Sequence, residues 1–70
     1  MSASPEQWSR GKYVTRPPRV QAFYDDLFAL YAKHNISISH EDGLGNFKLT
    51  EDNPDNRDWM EHATLDLDTL

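Results

Sequence analysis

The sequence predicts an α+β domain in which a helix, two strands and a second helix follow one another along the chain. Apolar residues recur every three or four positions between residues 18 and 34, which is the period of an amphipathic helix. Around a glycine-containing segment at 42–46, apolar and polar residues alternate instead, as they do in strands. The chain has 70 residues and no cysteine, so we expect one domain with a thin core and no disulfide to reinforce it.

The first 16 residues predict a disordered, flexible basic arm. They are rich in serine, glycine, proline and charge, and they follow neither a helical nor a strand period. Residues 1–19 carry four basic side chains against one acid, net +3, whereas residues 20–70 carry three against eleven, net −8. We therefore expect an arm over 1–16, a folded domain over 17–63 and an acidic, apolar tail over 64–70.

The first helix is predicted to begin at Pro17-Pro18 and to end near His34. Proline suits a first helical turn, because the backbone N–H groups there have no partner within the helix. Asn35 tolerates the left-handed conformation that ends many helices. The apolar stripe expected to face the core comprises Val20, Phe23, Leu27, Leu30 and Tyr31.

Two strands are predicted on either side of a tight turn at 42–46, where Gly43 and Gly45 tolerate positive φ angles. Alternate residues of a strand point to the same face. One apolar face, packed against the first helix, is therefore expected. Its four residues are Ile36, Ile38, Phe47 and Leu49.

A second, shorter helix is predicted after the strands. Asp52 or Asn53 can accept a hydrogen bond from the first turn, and Pro54 suits its start. Its narrow apolar stripe is Trp59, Met60 and Ala63. The tail at 64–70 alternates apolar and acidic residues, and it could add as an edge strand, pair with a second subunit or stay loose until a partner binds.

The chain contains the string Ser37-Ile38-Ser39-His40-Glu41-Asp42-Gly43, followed by Gly45 and Phe47. With the acidic, asparagine-rich stretch that leads to Trp59, this pattern resembles small, largely uncharacterised proteins encoded by tailed bacteriophages. The resemblance covers about residues 20–63. It implies a phage setting, and it transfers no catalytic residues.

A protein-binding function is the leading hypothesis. The first helix has more aromatic surface than a core this small needs, and acids surround it, which is typical of an interface. We expect an accessory protein whose carboxylates cover a basic surface of a host protein, which could be a protein that normally binds nucleic acid. The chain could also form a homodimer. The anchor and carboxylate candidates are Tyr24, Phe28, Trp59, Asp55, Asp58 and Glu61.

Two alternatives remain. The basic arm interleaves cations with aromatics and could track a nucleic acid backbone, or it could be a solvated tail. Its candidate residues are Trp8, Arg10, Lys12, Tyr13, Arg16 and Arg19. His40 and Asp42 could form a metal-dependent catalytic centre, but they match no zinc signature, and Asp42-Gly43 is also a turn signal.

Neither an enzyme nor a cofactor is expected. No run approaches the roughly twenty apolar residues that cross a bilayer. The N-terminal stretch lacks the apolar region of a secretory signal, so the expected location is the cytoplasm, without membrane contact.

Overall fold

The computed structural model describes residues 5–68. In this part of the chain it contains two helices and two antiparallel two-stranded sheets, a mixed α/β arrangement. The predicted order of helix, strand, strand and helix is found from residue 18 onward, and a β-hairpin precedes it. The elements are β1 (Glu6–Ser9), β2 (Lys12–Thr15), α1 (Pro18–His34), β3 (Ser37–Glu41), β4 (Phe47–Thr50) and α2 (Pro54–Glu61).

The β1–β2 hairpin corrects the prediction of a disordered arm over 1–16. Arg10 and Gly11 form its two-residue turn with φ angles of 50° and 86°. Two positive φ angles give the turn a twist that matches the twist of paired strands. Residues 6–15 are thus ordered strands and turn, and only the part of the prediction that concerns residues 1–4 lies outside the described residues.

The hairpin has a polar buried face and an aromatic exposed face. Gln7 and Ser9 point inward and are each 1% exposed. Trp8 and Tyr13 are cross-strand partners on the other face. This arrangement inverts the usual pattern of a half-buried strand, in which the apolar residues face the core.

Gln7 connects the hairpin to three other parts of the molecule. Its side-chain Nε2 donates to the Tyr24 hydroxyl at 3.1 Å, to the Glu61 carbonyl at 2.9 Å and to the Ala63 carbonyl at 2.7 Å. Its Oε1 accepts from Arg16 Nε at 2.8 Å. The N-terminal segment is therefore part of the core.

The C-terminal segment lies along the outer edge of β1. Leu65 forms a parallel bridge with Ser9, and its N–H donates to the Trp8 carbonyl at 2.8 Å. The Ser9 hydroxyl donates to the Leu65 carbonyl at 3.3 Å. Of the three alternatives for the tail, pairing with the edge of β1 is found as one isolated bridge at Leu65, and residues 69–70 lie outside the described residues.

Helix α1 has the predicted bounds, and Asn35 is left-handed with a φ of 52°, which confirms its predicted place at the helix end. The predicted stripe is confirmed in part, because Val20 and Tyr31 are buried and Leu27 is half-buried. Phe23 and Leu30, predicted in the core, are 58% and 52% exposed. The hydroxyl of Tyr24 donates to the Met60 carbonyl at 2.6 Å, which holds that ring inside. The residues of α1 that are buried are Val20, Tyr24 and Tyr31.

The apolar face predicted for the strands is also corrected. Ile36, Phe47 and Leu49 are 46%, 67% and 70% exposed, whereas Ser37 is fully buried. The reason is Asn56 of α2, whose amide donates at 2.8 Å both to the Ser37 hydroxyl of β3 and to its β4 partner hydroxyl. The serine face of the β3–β4 hairpin therefore meets Asn56 of α2. Of the four predicted apolar residues only Ile38 is half-buried, and it lines a small pocket with Leu27 and Leu30 of α1.

Helix α2 begins as predicted. Asn53 caps it by accepting a hydrogen bond from the Asn56 N–H at 2.8 Å, and Pro54 occupies its first turn. The apolar core cluster is small, and it comprises Val20, Tyr24 and Leu65 with Val14, Leu27, Phe28, Met60 and Leu67 packed against it. In residues 5–68, no helix has the length and apolar character needed to cross a membrane.

Candidate protein-binding surface

The predicted aromatic anchors differ in their access to solvent. Tyr24 is 3% exposed, so it belongs to the core and cannot serve as a surface anchor. Phe28 is half-buried, because its ring stacks on Tyr24 at 5.6 Å and the Arg57 guanidinium lies 5.5 Å from its centre. Trp59 is half-buried at the surface of α2, where its ring contacts two other rings.

Trp59 forms an aromatic cluster with His40 and Phe47. The His40 ring stacks on Trp59 with 4.7 Å between centroids and 23° between planes. Phe47 meets the same indole edge-on at 6.2 Å and is itself 67% exposed. The cluster therefore presents a partly solvated aromatic surface that joins β3, β4 and α2.

A register irregularity in β3 brings His40 to this cluster. Ser39 pairs with Lys48 and Glu41 pairs with Phe47, so His40 has no partner in β4. A bulge of this kind bends the strand and re-aims a side chain. The sequence does not reveal the bulge, and alternation assigned Phe47 to the core, so the cluster was not predicted.

Two exposed carboxylates lie on α2, the helix that carries Trp59. Asp55 precedes Trp59 by four residues, so the two side chains lie on the same side of the helix. Asp55 is exposed and forms no ion pair within residues 5–68. Asp58 is exposed and lies 3.8 Å from the imidazole of His62. Glu61, the third predicted carboxylate, is half-buried at the end of the helix.

The pair Asp52–Arg57 fixes the start of α2. The Arg57 side chain hydrogen-bonds both carboxylate oxygens of Asp52, at 3.0 and 2.5 Å. These bonds lower the pKa of Asp52 and raise that of Arg57. Asp52 is thereby engaged within the molecule, which leaves Asp55 and Asp58 as the α2 acids that face solvent.

Asp42 shapes the turn between β3 and β4. Its Oδ1 accepts from the backbone N–H of Leu44 at 2.8 Å and, more weakly, from that of Asn46 at 3.4 Å. This is the turn role considered for Asp42, while His40 stacks on Trp59. No group of three or more His, Cys, Asp or Glu side chains that could hold a metal ion occurs in the part of the chain that the structure describes.

The residues of the alternative nucleic acid site are dispersed. Trp8 and Tyr13 meet edge-on at 5.0 Å and are 41% and 65% exposed. Arg10 donates to the Leu67 carbonyl at 2.8 Å and lies 3.8 Å from the Asp66 carboxylate. Trp8, Tyr13 and the exposed Lys12 thus share one hairpin, whereas Arg10 is engaged by residues 66 and 67.

Arg16 does not belong to that exposed set. It is 8% exposed, and it donates hydrogen bonds to the side chains of Gln7 and Gln21, each at 2.8 Å. Its guanidinium lies 4.7 Å from the centre of the Tyr24 ring. A phosphate can reach it only if the core opens, so Arg16 is not part of the exposed surface on which the nucleic acid alternative depends. Lys12 and Arg19 are exposed.

An apolar groove of about 370 Å³ lies between the first half of α1 and residues 60–67, which comprise the end of α2 and the segment that follows it. Phe23 and Val20 form one wall. The other wall follows the chain through residues 60–67. Sequence periodicity placed Phe23 in the core, so the groove was not predicted.

Comparison with protein-family models, with curated proteins and with solved structures found no match to this chain. The surfaces described above are therefore the basis on which a function can be proposed.

Proposed function

We propose that this chain is a bacteriophage-encoded accessory protein that binds a host protein in the host cytoplasm and alters its activity. The observation that carries the proposal is the aromatic cluster of His40, Phe47 and Trp59, together with the solvent-facing carboxylates Asp55 and Asp58 of α2. The phage setting comes from the resemblance of residues 20–63 to small proteins of tailed bacteriophages.

The aromatic cluster supplies the affinity in this proposal. Aromatic residues are enriched at interfaces, and tryptophan in particular tends to dominate binding energy where a partner excludes water from it. Trp59 is held from one side by His40 and from another by Phe47, so little rotamer freedom is left to lose on binding.

The carboxylates supply the orientation and define the partner. The chain has a net charge of −5, and the exposed carboxylates Asp55 and Asp58 share α2 with Trp59. Complementary charge steers association and rejects partners of the wrong sign. The partner surface is therefore basic, and its occlusion would block whatever polyanion it normally binds.

The test is affinity capture of the tagged full chain from nuclease-treated bacterial lysate, with the retained proteins identified by mass spectrometry. The double variant Asp55→Lys with Asp58→Lys is compared with Asp25→Lys and Asp26→Lys, two exposed acids of α1 that give the same change in charge. Circular dichroism checks that each variant is folded. Capture of one host protein in stoichiometric amount by the wild type and the α1 variant, but not by the α2 variant, supports the proposal. Equal capture by both variants contradicts it.

A second candidate function is single-stranded nucleic acid binding by the β1–β2 hairpin. The exposed pair of Trp8 and Tyr13 favours it, because bases stack on such rings, and Lys12 lies at the same turn. Fluorescence anisotropy with a labelled oligothymidylate tests it. Binding that weakens steeply with salt and is lost in Trp8→Ala supports it, and binding unchanged by that substitution argues against it.

A further inference from the structure

We propose that the apolar groove between α1 and the C-terminal segment binds apolar side chains of a positively charged amphipathic helix. This inference rests on the proposed function in one respect, because the helix is taken to belong to the same basic host protein and to form a second contact with it. It goes further in naming the form of the partner segment and the place where its anchor residues lie.

The groove has the size and lining of an anchor site. Its volume of about 370 Å³ lies within the range of about 300–1,000 Å³ that is usual for ligand sites. Phe23 contributes a ring that is 58% exposed. The floor of the groove belongs to the core cluster, since Val20 and Leu65 are buried, so an apolar side chain that enters beside Phe23 meets a continuous apolar surface. The opposite wall of the groove is formed by Met60, Ala63, Leu65 and Leu67.

Charge selects the partner. Along the wall at 60–68, the residues that line the groove alternate with three acids, Glu61, Asp66 and Asp68. The Asp66 side chain is 91% exposed but lies 3.8 Å from the Arg10 guanidinium, so Glu61 and Asp68 are the acids of this wall that form no ion pair within residues 5–68. Arg19 lies on the α1 wall. Basic residues of the partner are therefore expected to lie over the C-terminal wall, where they meet carboxylates, and away from Arg19.

A helix matches this geometry. Amphipathic helices enter apolar grooves with anchors at positions i, i+3, i+4 and i+7 and keep their charges at the rim. A second copy of this chain is a poorer occupant. The solvent face of its own long helix carries Asp25 and Asp26, which would meet the acidic wall with like charge.

The experiment uses the full chain and a fluorescein-labelled synthetic peptide of 18 residues, built of leucine at helical spacing and lysine elsewhere. Ala63→Phe is designed to fill the groove, because the Ala63 side chain lines it and is exposed. Ala32→Phe, at an exposed alanine of α1 that does not line the groove, is the matched control. Fluorescence anisotropy measures the affinity of each.

The expected result is binding to the wild type and to Ala32→Phe, and a loss of about tenfold or more in Ala63→Phe, the size typical of removing an anchor contact. A control peptide has the same composition but scrambled leucine positions. Its affinity for the wild type is expected to be as low as the affinity of the ordered peptide for Ala63→Phe. Equal binding of the ordered and scrambled peptides overturns the inference.

A second comparison does not depend on filling the groove. The double variant Asp66→Asn with Asp68→Asn should bind the peptide more weakly than the wild type does. The double variant Asp25→Asn with Asp26→Asn should bind it with wild-type affinity. Equal affinity in the two double variants overturns the assignment of the basic flank. Sedimentation equilibrium of the wild type, showing a dimer that Ala63→Phe breaks, overturns the inference in favour of a second copy.

The two proposals can fail separately. If capture of the host protein is lost in the Asp55 and Asp58 variant while Ala63→Phe retains both peptide and host protein, the groove inference is wrong and the proposed function stands. If Ala63→Phe loses the peptide while the Asp55 and Asp58 variant captures its partner normally, the groove binds as inferred and the α2 surface is not the binding site.

Discussion

Replacement of Gln7 by alanine should remove a large share of the stability of this protein. The side chain is 1% exposed, and it connects β1 to Tyr24 of α1, to two backbone carbonyls after residue 60 and to the buried Arg16. Alanine leaves each of these groups without its partner in a place that water cannot easily reach.

The magnitude follows from counting bonds. The Gln7 amide nitrogen carries two hydrogens, so its three acceptors share two full bonds, and Oε1 accepts a third bond from a charged group. Neutral bonds contribute about 0.5–1.5 kcal/mol each and a bond to a charged group about 1.5–3 kcal/mol, so the expected loss is about 3–5 kcal/mol. A 70-residue chain has about 4–10 kcal/mol in total.

Urea unfolding, followed by the fluorescence of Trp8 and Trp59, measures this loss. With a slope of about 1 kcal/mol per molar urea, the midpoint should fall by about 3 M or more. Gln21→Ala is the matched control, because Gln21 is half-buried and one of its two side-chain bonds goes to the exposed Asp25. Its expected loss is about 1 kcal/mol.

Two results would refute this reasoning. A Gln7→Ala midpoint equal to that of Gln21→Ala would mean that Gln7 is not the buried link between the hairpin and the helices. A large loss in Gln7→Ala accompanied by unchanged amide exchange in residues 6–15 would mean that the hairpin folds without that link.

Three further predictions concern α1 and α2. Asn56→Ala, which removes two 2.8 Å bonds to hydroxyls of β3 and β4, should lower the free energy of unfolding by about 2–3 kcal/mol, and a loss under about 0.5 kcal/mol in urea unfolding would contradict it. The hydrogen bond from Arg57 lowers the pKa of Asp52 in the folded protein below the ordinary value of 3.8. The ionised carboxylate therefore stabilises the fold at pH values above 3.8, and this contribution is lost as the pH falls through the lower pKa of the folded state. The difference in free energy of unfolding between the wild type and Asp52→Asn should therefore become smaller as the pH is lowered. A difference that does not change with pH would exclude a stabilising contribution from the Asp52–Arg57 pair. Asn35→Ala should lower the free energy of unfolding by about 1 kcal/mol, since alanine is strained at the φ of 52°. Asn35→Gly should melt near the wild-type temperature, because glycine adopts this φ without strain.

Local signals in the sequence predicted the two helices. Three- and four-residue spacing, prolines in the first turn and Asn35 at the end gave the bounds of α1, and Asn53 with Pro54 gave the start of α2. These signals act within one turn of the chain, so they do not depend on the rest of the fold. The face that each helix buries does depend on it, which is why Phe23 was assigned to the core wrongly.

The N-terminal hairpin was missed because it buries polar residues. Hydrophobic alternation is read on the assumption that apolar side chains point inward, and here Gln7 and Ser9 point inward while Trp8 and Tyr13 do not. One signal was present. Gly11 tolerates a positive φ angle, and the run that follows it, Lys12–Thr15, contains one aromatic and two β-branched residues, as strands often do.

The candidate site was predicted only in part. Asp55 and Asp58 are exposed on α2, which a role in binding requires. The contact of His40 with Trp59 joins residues far apart in sequence through a strand bulge, and no spacing rule encodes such a contact. Composition could suggest an acidic and aromatic interface, but only the tertiary structure could separate the buried Tyr24 from the half-buried Trp59.

The most direct test of the proposed function is hydrogen–deuterium exchange of this chain, free and bound to the host protein that it captures. The aromatic cluster and the exposed carboxylates of α2 place the interface on residues 39–48 and 54–61. Slower exchange of amides in those two segments, with residues 6–15 unchanged, is the predicted result. Protection confined to residues 6–15 would contradict the account and would assign binding to the N-terminal hairpin.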